Sequence, residues 1–157
     1  MSLPRIEKVQ AQPKAKLRLK VRGESGWRAA DLSGFIARYA GLAPLEADAV
    51  FRRAKVIDWG AAVGWPGDLD IGARTLVRLS DEQSTFSNAE FRAWQNEMKL
   101  SNTEAADVLG VSLATIKNYR SAAGIPTAIA IACRAMRSDP AILAAHFEPR
   151  AKTRRAV

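Results

Sequence analysis

The sequence of 157 residues is poor in the side chains that bind metals or form disulfides. It contains one cysteine, Cys133, and one histidine, His146. A zinc site needs about three or four such ligands, so a site built from Cys and His is excluded. A single cysteine cannot form an internal disulfide, which favours a reducing compartment. We therefore expect no metal and no cofactor.

Long hydrophobic runs are also missing. No apolar run reaches the roughly 18 residues that span a membrane, and residues 1–23 lack the apolar core of a signal peptide. The sequence further lacks a catalytic triad pattern, a phosphate-binding glycine loop and a glycosidase carboxylate pair. These absences predict a bacterial-type cytoplasmic protein that is not an enzyme and has no membrane partner.

The chain has an excess of positive charge, with a formal net charge of +8 and a pI near 10.1. Residues 1–22 hold seven cations and one acid, and residues 128–157 hold six cations and two acids, whereas residues 89–127 are neutral. This balance predicts an anionic partner. Two interpretations of the basic termini stay open: solubilising tails, or arms that bind phosphate.

Residues 16–82 show the pattern of a small α+β domain that follows a basic leader at residues 1–15. Leu17, Leu19 and Val21 alternate with basic residues, which is the period of a half-buried strand, and residues 27–32 can return as its partner. Residues 55–59 and 61–65 predict a second hairpin around Gly60. The sequence thus predicts an α+β domain with two β-hairpins, in which Trp27, Trp59 and Trp65 pack in a core or at a dimer face.

Residues 83–147 have the pattern of an all-α domain, with a basic tail at residues 148–157. Phe91, Trp94 and Met98 recur at helical spacing, and residues 81–85 are predicted to form a short linker between the two domains. Cys133 lies in an apolar helical stretch, so we expect it to be buried.

The most informative segment is residues 101–121. Ser101 can cap a first helix, with Glu104 completing a capping box, and Ala106 is small enough for two helices to approach closely. Gly110 follows where a sharp turn with positive φ is needed, and Ser112 can cap a second helix. These signals predict a helix–turn–helix.

This segment resembles the helix–turn–helix of the Cro/phage-repressor type. Ala106, Gly110 and Ile116 fall at the diagnostic spacings, and the resemblance covers about residues 90–136. It implies a lambda-repressor-like domain that binds double-stranded DNA with helix 112–121 in the major groove. The predicted DNA-binding residues are Asn102, Thr103, Ser112, Leu113, Ala114, Thr115, Lys117, Asn118, Arg120 and Ser121. Of these, Asn118 can pair with adenine, and Lys117 with guanine or phosphate. Arg120 is expected to reach the DNA backbone or to pack on the helix.

Residues 17–79 resemble the domain-of-unknown-function 2442 family. The similarity lies in residues 27–33, Pro44-Leu45, Phe51 and residues 63–70, with Trp65 and Asp68-Leu69-Asp70 as the most specific part. The resemblance implies a small bacterial α+β domain without enzyme activity. Some members are fused to a helix–turn–helix, and others are paired with a small protein in toxin–antitoxin-like arrangements.

Together these patterns predict a sequence-specific transcriptional regulator, most simply a homodimeric repressor, because one recognition helix reads few base pairs. An alternative remains open: an antitoxin-like interaction module that binds a small partner protein and autoregulates its own promoter. Asp58, Asp68 and Asp70 are interpreted as turn and cap residues rather than as cation ligands.

Overall fold

The first part of the chain is built on two three-stranded antiparallel sheets. In this computed structural model, which describes residues 2–149, the contacts separate unit 1, residues 1–84, from unit 2, residues 85–157. The first sheet has the order β1 (Ile6–Gln12), β2 (Lys16–Val21) and β3 (Trp27–Asp31). The second has the order β4 (Lys55–Ile57), β5 (Ala62–Trp65) and β6 (Leu69–Gly72).

Three helices complete unit 1: α1 (Ser33–Arg38), α2 (Asp48–Phe51) and α3 (Ala73–Gln83), with a 3-10 segment at Ala40–Glu46. The alternation on β2 places Leu17, Leu19 and Val21 in the core, as the sequence predicts. Trp65 is buried beside Phe51, and its indole N–H donates to the Phe51 carbonyl oxygen at 2.9 Å. The core is therefore shared between both sheets and the helices.

Two predictions about unit 1 are wrong. Residues 6–12 form strand β1 instead of a leader, and residues 69–72 form β6 instead of running directly into a helix, so each predicted hairpin is a three-stranded sheet. A β-bulge between Ile6 and Lys8 shifts the register of β1, which blurs the alternation that marks a strand. Residues 81–83, predicted as linker, are the last turn of α3.

The turn between β4 and β5 is conformationally unusual. Asp58, Trp59 and Gly60 have φ values of 51°, 52° and 89°. Gly60 is required there, because a Cβ atom at this position would lie 2.5 Å from the Ile6 carbonyl oxygen. Trp59 projects from this turn with 91% of its surface exposed, so it does not pack in the core. Packing of Trp59 at a dimer face, the other predicted role, stays a prediction.

Unit 2 is helical throughout its described part. Its helices are α4 (Asn88–Glu97), α5 (Asn102–Leu109), α6 (Leu113–Ser121), α7 (Thr127–Ser138) and α8 (Pro140–His146). Phe91, Trp94, Ile116, Cys133 and Met136 form the centre of its core. Together with the sheets of unit 1, this confirms the predicted α+β fold class. The predicted basic tail lies outside the described residues except for positions 148 and 149.

The lone cysteine is buried in α7, as predicted. Burial raises the pKa of the Cys133 thiol to about 12, although Arg137 and Arg134 act in the opposite direction. The thiol is therefore protonated and unreactive at neutral pH. Within residues 2–149, no helix combines the length and hydrophobicity that a membrane span requires, and no three His, Cys, Asp or Glu side chains cluster as metal ligands would.

Candidate nucleic-acid interface

Helices α5 and α6 are joined by a three-residue turn whose geometry is set by local sequence. Gly110 ends α5 in the left-handed conformation, with φ 66° and ψ 33°, and its N–H bonds back to α5 carbonyl groups. Ser112 then caps α6 by accepting the Thr115 N–H at 3.1 Å. The two helices thus form the helix–turn–helix arrangement that the caps and the glycine predict.

The inner face of α6 is held by apolar packing. Ile116 and Tyr119 are buried, and the Tyr119 ring lies edge-on to Phe91, with ring centroids 5.5 Å apart. Ala106 is buried on α5, where a larger side chain would push α5 and α6 apart. The Trp94 ring packs on Phe91 from the same helix at 5.5 Å. These contacts fix which face of α6 points to solvent.

The outer face of α6 is a continuous exposed stripe. Its five residues recur at positions i, i+1, i+4, i+5 and i+8, so they share one side of the helix. They are Leu113, Ala114, Lys117, Asn118 and Ser121. Leu113 is 42% exposed. Within residues 2–149 the Lys117 ammonium has no ion-pair partner and the Asn118 amide no hydrogen-bond partner, so both are available to a ligand.

The other predicted contact residues lie around this stripe, and several already have partners. The hydroxyl groups of Ser112 and Thr115 are 2.8 Å apart, which makes them a capping pair. Asn102, the first residue of α5, accepts a hydrogen bond from the Gln95 amide at 2.8 Å. Thr103 follows it and is half-buried, and the Ser121 hydroxyl donates to the Asn118 carbonyl oxygen at 3.1 Å.

A hydrogen-bond network connects α4, α5 and α6. It was not predicted from the sequence. Gln95 is buried, and its amide N–H groups donate to the Leu100 carbonyl oxygen at 3.1 Å and to Asn102. Its carbonyl oxygen accepts from the Arg120 guanidinium at 2.8 Å. Gln95 therefore links α4, the start of α5 and the end of α6. The only signal in the sequence was a polar residue beside Trp94 on an apolar helix face.

The C-terminal end of α6 is held by two further side chains of α4. The Asn88 amide donates to the carbonyl oxygens of Tyr119 and Ala123 at 2.8 and 2.7 Å. The Arg92 guanidinium donates to the Arg120 carbonyl oxygen at 2.6 Å. These bonds satisfy carbonyl groups that a helix end leaves without intrahelical partners. As a result, α6 is fixed at both ends and along its inner face.

The N-terminal ends of α5 and α6 favour anions. The first backbone N–H groups of a helix have no intrahelical acceptor and carry the positive end of the helix dipole. Ser101 and Ser112 satisfy the N–H groups of Glu104 and Thr115 only, so the N–H groups of the first two residues of each helix remain for a ligand. A phosphate oxygen is a suitable acceptor for them.

One capping prediction is wrong. Ser101 caps α5, but the Glu104 carboxylate forms no return bond to the Ser101 N–H, so the predicted capping box is half formed. The complete box lies at the start of α4, where the Ser87 N–H donates to the Glu90 carboxylate at 2.7 Å and the Ser87 hydroxyl accepts from the Glu90 N–H.

Comparison with known proteins gives one solved structure. No protein-family model matches the chain, and no curated protein matches it. The chain is similar to a candidate DNA-binding protein from Nitrosomonas europaea, with 26% sequence identity, coverage of 86% of this chain and 87% of that chain, and a TM-score of 0.49. The resemblances to the domain-of-unknown-function 2442 family and to the Cro/phage-repressor type stay predictions. A functional proposal for this chain therefore rests on the geometry of residues 101–121.

Proposed function

We propose that this chain is a sequence-specific DNA-binding transcriptional regulator that reads the major groove with α6. The observation that carries the proposal is the exposed stripe of Leu113, Ala114, Lys117, Asn118 and Ser121 on a helix whose other face is locked by Ile116 and Tyr119. A short helix with a rigid inner face and a free polar outer face has the form of a recognition helix.

Four of the five exposed side chains fit a contact in the groove. The Asn118 amide matches the donor and acceptor pair of an adenine edge, and the Lys117 ammonium suits guanine or a phosphate. Leu113 and Ala114 are short and apolar, so they suit thymine methyl groups. The N-terminal ends of α5 and α6, at Asn102 and Ser112, are suited to phosphates that set the position of the protein on the duplex.

A homodimeric repressor is the form of regulator that we propose. Two copies related by a two-fold axis place recognition helices in half-sites about one DNA turn, roughly 34 Å, apart, and a bound dimer blocks access to a promoter. Ile131 supports α7 as the dimer contact, because 53% of this large apolar side chain is exposed on the helix. Burying it in an interface removes apolar surface from water.

The combined substitution Lys117→Ala and Asn118→Ala is expected to abolish specific binding and leave unit 2 folded. A good bidentate base contact contributes about 1–3 kcal/mol of discrimination, whereas exposed substitutions change stability by about 0.5 kcal/mol or less. The unmodified chain is first used to select the genomic DNA fragments that it binds. A footprint on these fragments then measures specific binding by the variant, and a urea unfolding curve measures its stability. The matched control is Asn96→Ala with Lys99→Ala, which removes the same two kinds of side chain from exposed positions in the last turn of α4 and just after it.

The same footprint tests the dimer. Two protected half-sites related by a two-fold axis support it, and a single protected half-site contradicts it. A footprint that survives in the Lys117 and Asn118 variant would show that α6 is not the recognition helix. Loss of the footprint in the control variant as well would contradict the assignment of specificity to α6.

Trp59 favours a second candidate function, the antitoxin-like module that binds a small partner protein. Asp58 and Trp59 both hold a left-handed backbone, which costs about 1–2 kcal/mol for each non-glycine residue. This strained turn presents the indole of Trp59 to solvent, and exposed tryptophans on rigid supports are typical anchors of protein interfaces.

This second candidate predicts that a small protein encoded beside this chain co-purifies with it. The substitution Trp59→Ala is expected to weaken that complex by at least tenfold, because an interface anchor contributes about 2 kcal/mol or more. The control is Tyr39→Ala, which removes another exposed aromatic side chain of unit 1. Titration calorimetry with the purified partner checks the difference. Equal affinities of the two variants would remove Trp59 from any such interface.

A further inference from the structure

The first sheet of unit 1 has one apolar face and one basic face. The pairing of β1 with β2 and of β2 with β3 brings alternate residues of all three strands to the side away from Leu17 and Leu19. We call this side the outer sheet face. It consists of Lys8, Gln10 and Gln12 from β1, Lys16, Arg18 and Lys20 from β2, and Trp27, Ala29 and Asp31 from β3.

Positive charge on the outer sheet face is only partly offset by acids. Among the nine residues, Lys8, Lys16, Arg18 and Lys20 stand against one carboxylate, Asp31, which lies opposite Lys16. Glu24, beyond the end of β2, lies close enough to Lys20 for their charges to interact. Within residues 2–149, none of these four cations forms an ion pair. The Asp31 carboxylate accepts hydrogen bonds from the hydroxyl and the N–H of Ser33 at 2.6 and 2.9 Å, and these bonds, with a smaller contribution from Lys16, lower its pKa.

The clustering of cations on the outer sheet face lowers the stability of the sheet, because Lys8 of β1 and Lys20 of β2 lie directly opposite each other. Like charges at facing positions of a sheet are destabilising. Some other cations of unit 1 do form ion pairs: Arg28 bonds to Glu24 at 2.7 Å and also to Asp81. The outer sheet face differs in that four cations without an ion pair among the described residues lie together on one side of a sheet.

Arg18 and Trp27 make the centre of the face rigid. The Arg18 guanidinium lies 4.9 Å from the centre of the Trp27 ring, and it also donates to the Gln10 side chain at 3.4 Å. The Lys20 ammonium is tied to the Glu24 carbonyl oxygen at 2.7 Å. Cations that are already positioned lose less conformational freedom when they bind an anion.

We infer that the outer sheet face binds the phosphate backbone of duplex DNA without reading its sequence. The inference rests on the proposed function for the identity of the polyanion as DNA. Three cations of β2 lie on one line with a spacing of about 6.6 Å, twice the rise of a strand residue. They span about 13 Å, and duplex DNA carries one negative charge for about 1.7 Å of its axis. Such a row meets several phosphates at once.

The observations favour a duplex over a single strand. Proteins that bind single strands use aromatic side chains as platforms on which successive bases stack. Trp27 is the one aromatic residue of the outer sheet face, is 38% exposed, and already has Arg18 against its ring. The other functional groups of the outer sheet face are mainly cations. Such cations suit the contacts with phosphates that contribute to DNA affinity independently of sequence.

The test compares two variants of the full chain that lose the same charge. The face variant carries Lys8→Gln, Lys16→Gln and Lys20→Gln, and the control carries Arg38→Gln, Arg53→Gln and Arg74→Gln at exposed positions elsewhere in unit 1. Binding to a random-sequence duplex is measured at several salt concentrations. Each lost phosphate contact lowers the slope of log affinity against log salt by about 0.9, so we expect a decrease of about 2–3 in the face variant alone. The affinity at about 0.1 M salt is then about 10²-fold lower.

A thermal unfolding curve gives an independent readout. Removing the facing Lys8 and Lys20 charges is expected to maintain or raise the melting temperature of the face variant, so weaker binding cannot be explained by unfolding. Equal salt slopes in the two variants would overturn the inference. Tighter binding of a single strand of the same length, lost on Trp27→Ala, would also overturn it.

The outcome is separable from that of the proposed function. If the unmodified chain protects no specific site but its salt slope falls only in the face variant, the phosphate surface is supported and sequence-specific regulation is contradicted. In the opposite case, the footprint depends on Lys117 and Asn118, and the face variant has the same slope of log affinity against log salt as the unmodified chain. That result supports sequence-specific regulation through α6 and shows that the outer sheet face does not bind DNA.

Discussion

Replacing Ile116 with alanine is expected to lower the free energy of unfolding of unit 2 by about 2–5 kcal/mol and to weaken DNA binding as a consequence. Ile116 of α6 is fully buried in the core of unit 2, so its removal leaves a cavity at the contact that holds α6. Such a loss is a large fraction of the about 5–15 kcal/mol by which native domains are stable, so a unit at the lower end of that range would partly unfold.

Leu113→Ala is the matched control for this prediction. Leu113 lies three residues earlier on the same helix, is a residue of the same size, and is 42% exposed. Its truncation is expected to change stability by about 0.5 kcal/mol or less and to alter only the DNA contact. Urea unfolding followed by circular dichroism, with hydrogen exchange of residues 85–149, measures the first effect, and a footprint measures the second. Equal stability losses in the two variants would contradict the assigned inner and outer faces of α6.

The sequence predicts this helix pair well because its signals are local. Gly110 needs a left-handed backbone, and Ser112 must cap a helix that begins at the next residue, so each position restricts its own neighbours. The spacing of Ile116 and Tyr119 then defines the buried face. Because these rules act within a few residues, the exposed stripe follows from the sequence before any tertiary contact is known.

Strand β1 could not be predicted in the same way. Its sequence, from Ile6 to Gln12, is mostly polar, and the bulge after Ile6 interrupts its alternation. Its pairing with β2 is local, from Gln12 opposite Lys16 to Ile6 opposite Val21, but polar residues on both sides of the bulge hide the strand period. Its other end also lies against Gly60, more than 50 residues away in sequence, and such a contact leaves no local pattern. Of the basic residues assigned to a leader, Lys8 therefore belongs to a folded sheet, and Lys14 lies in the turn that joins β1 to β2.

The Gln95 network escaped prediction for a similar reason. A glutamine followed by a polar stretch indicates an exposed position, yet Gln95 is buried because Leu100 and Asn102 fold back over the end of α4. Arg120 is predicted to reach the DNA backbone or to pack on the helix, and the structure gives its guanidinium a protein partner, the Gln95 side-chain oxygen.

Removing the Gln95 side chain is expected to have the second-largest effect. Gln95→Ala leaves the buried end of the Arg120 guanidinium and the Leu100 carbonyl oxygen without partners, which costs about 1–3 kcal/mol for an unsatisfied buried group. Because the same amide bonds to Asn102, the substitution also releases the start of α5. We therefore expect lower stability and weaker specific DNA binding together.

A double-mutant cycle of Gln95→Ala and Arg120→Ala separates positioning from contact. If Arg120 acts through Gln95, the two substitutions are strongly non-additive, with a coupling energy of about 0.5–3 kcal/mol, and Arg120→Ala leaves the salt slope unchanged. If Arg120 binds a phosphate, its removal lowers that slope by about 1. The control cycle uses Arg137 and Glu97, an exposed ion pair at 2.8 Å whose coupling is expected to be about 1 kcal/mol or less. Additive effects of Gln95 and Arg120 would refute the network as the support of α6, because its two central groups would then act independently.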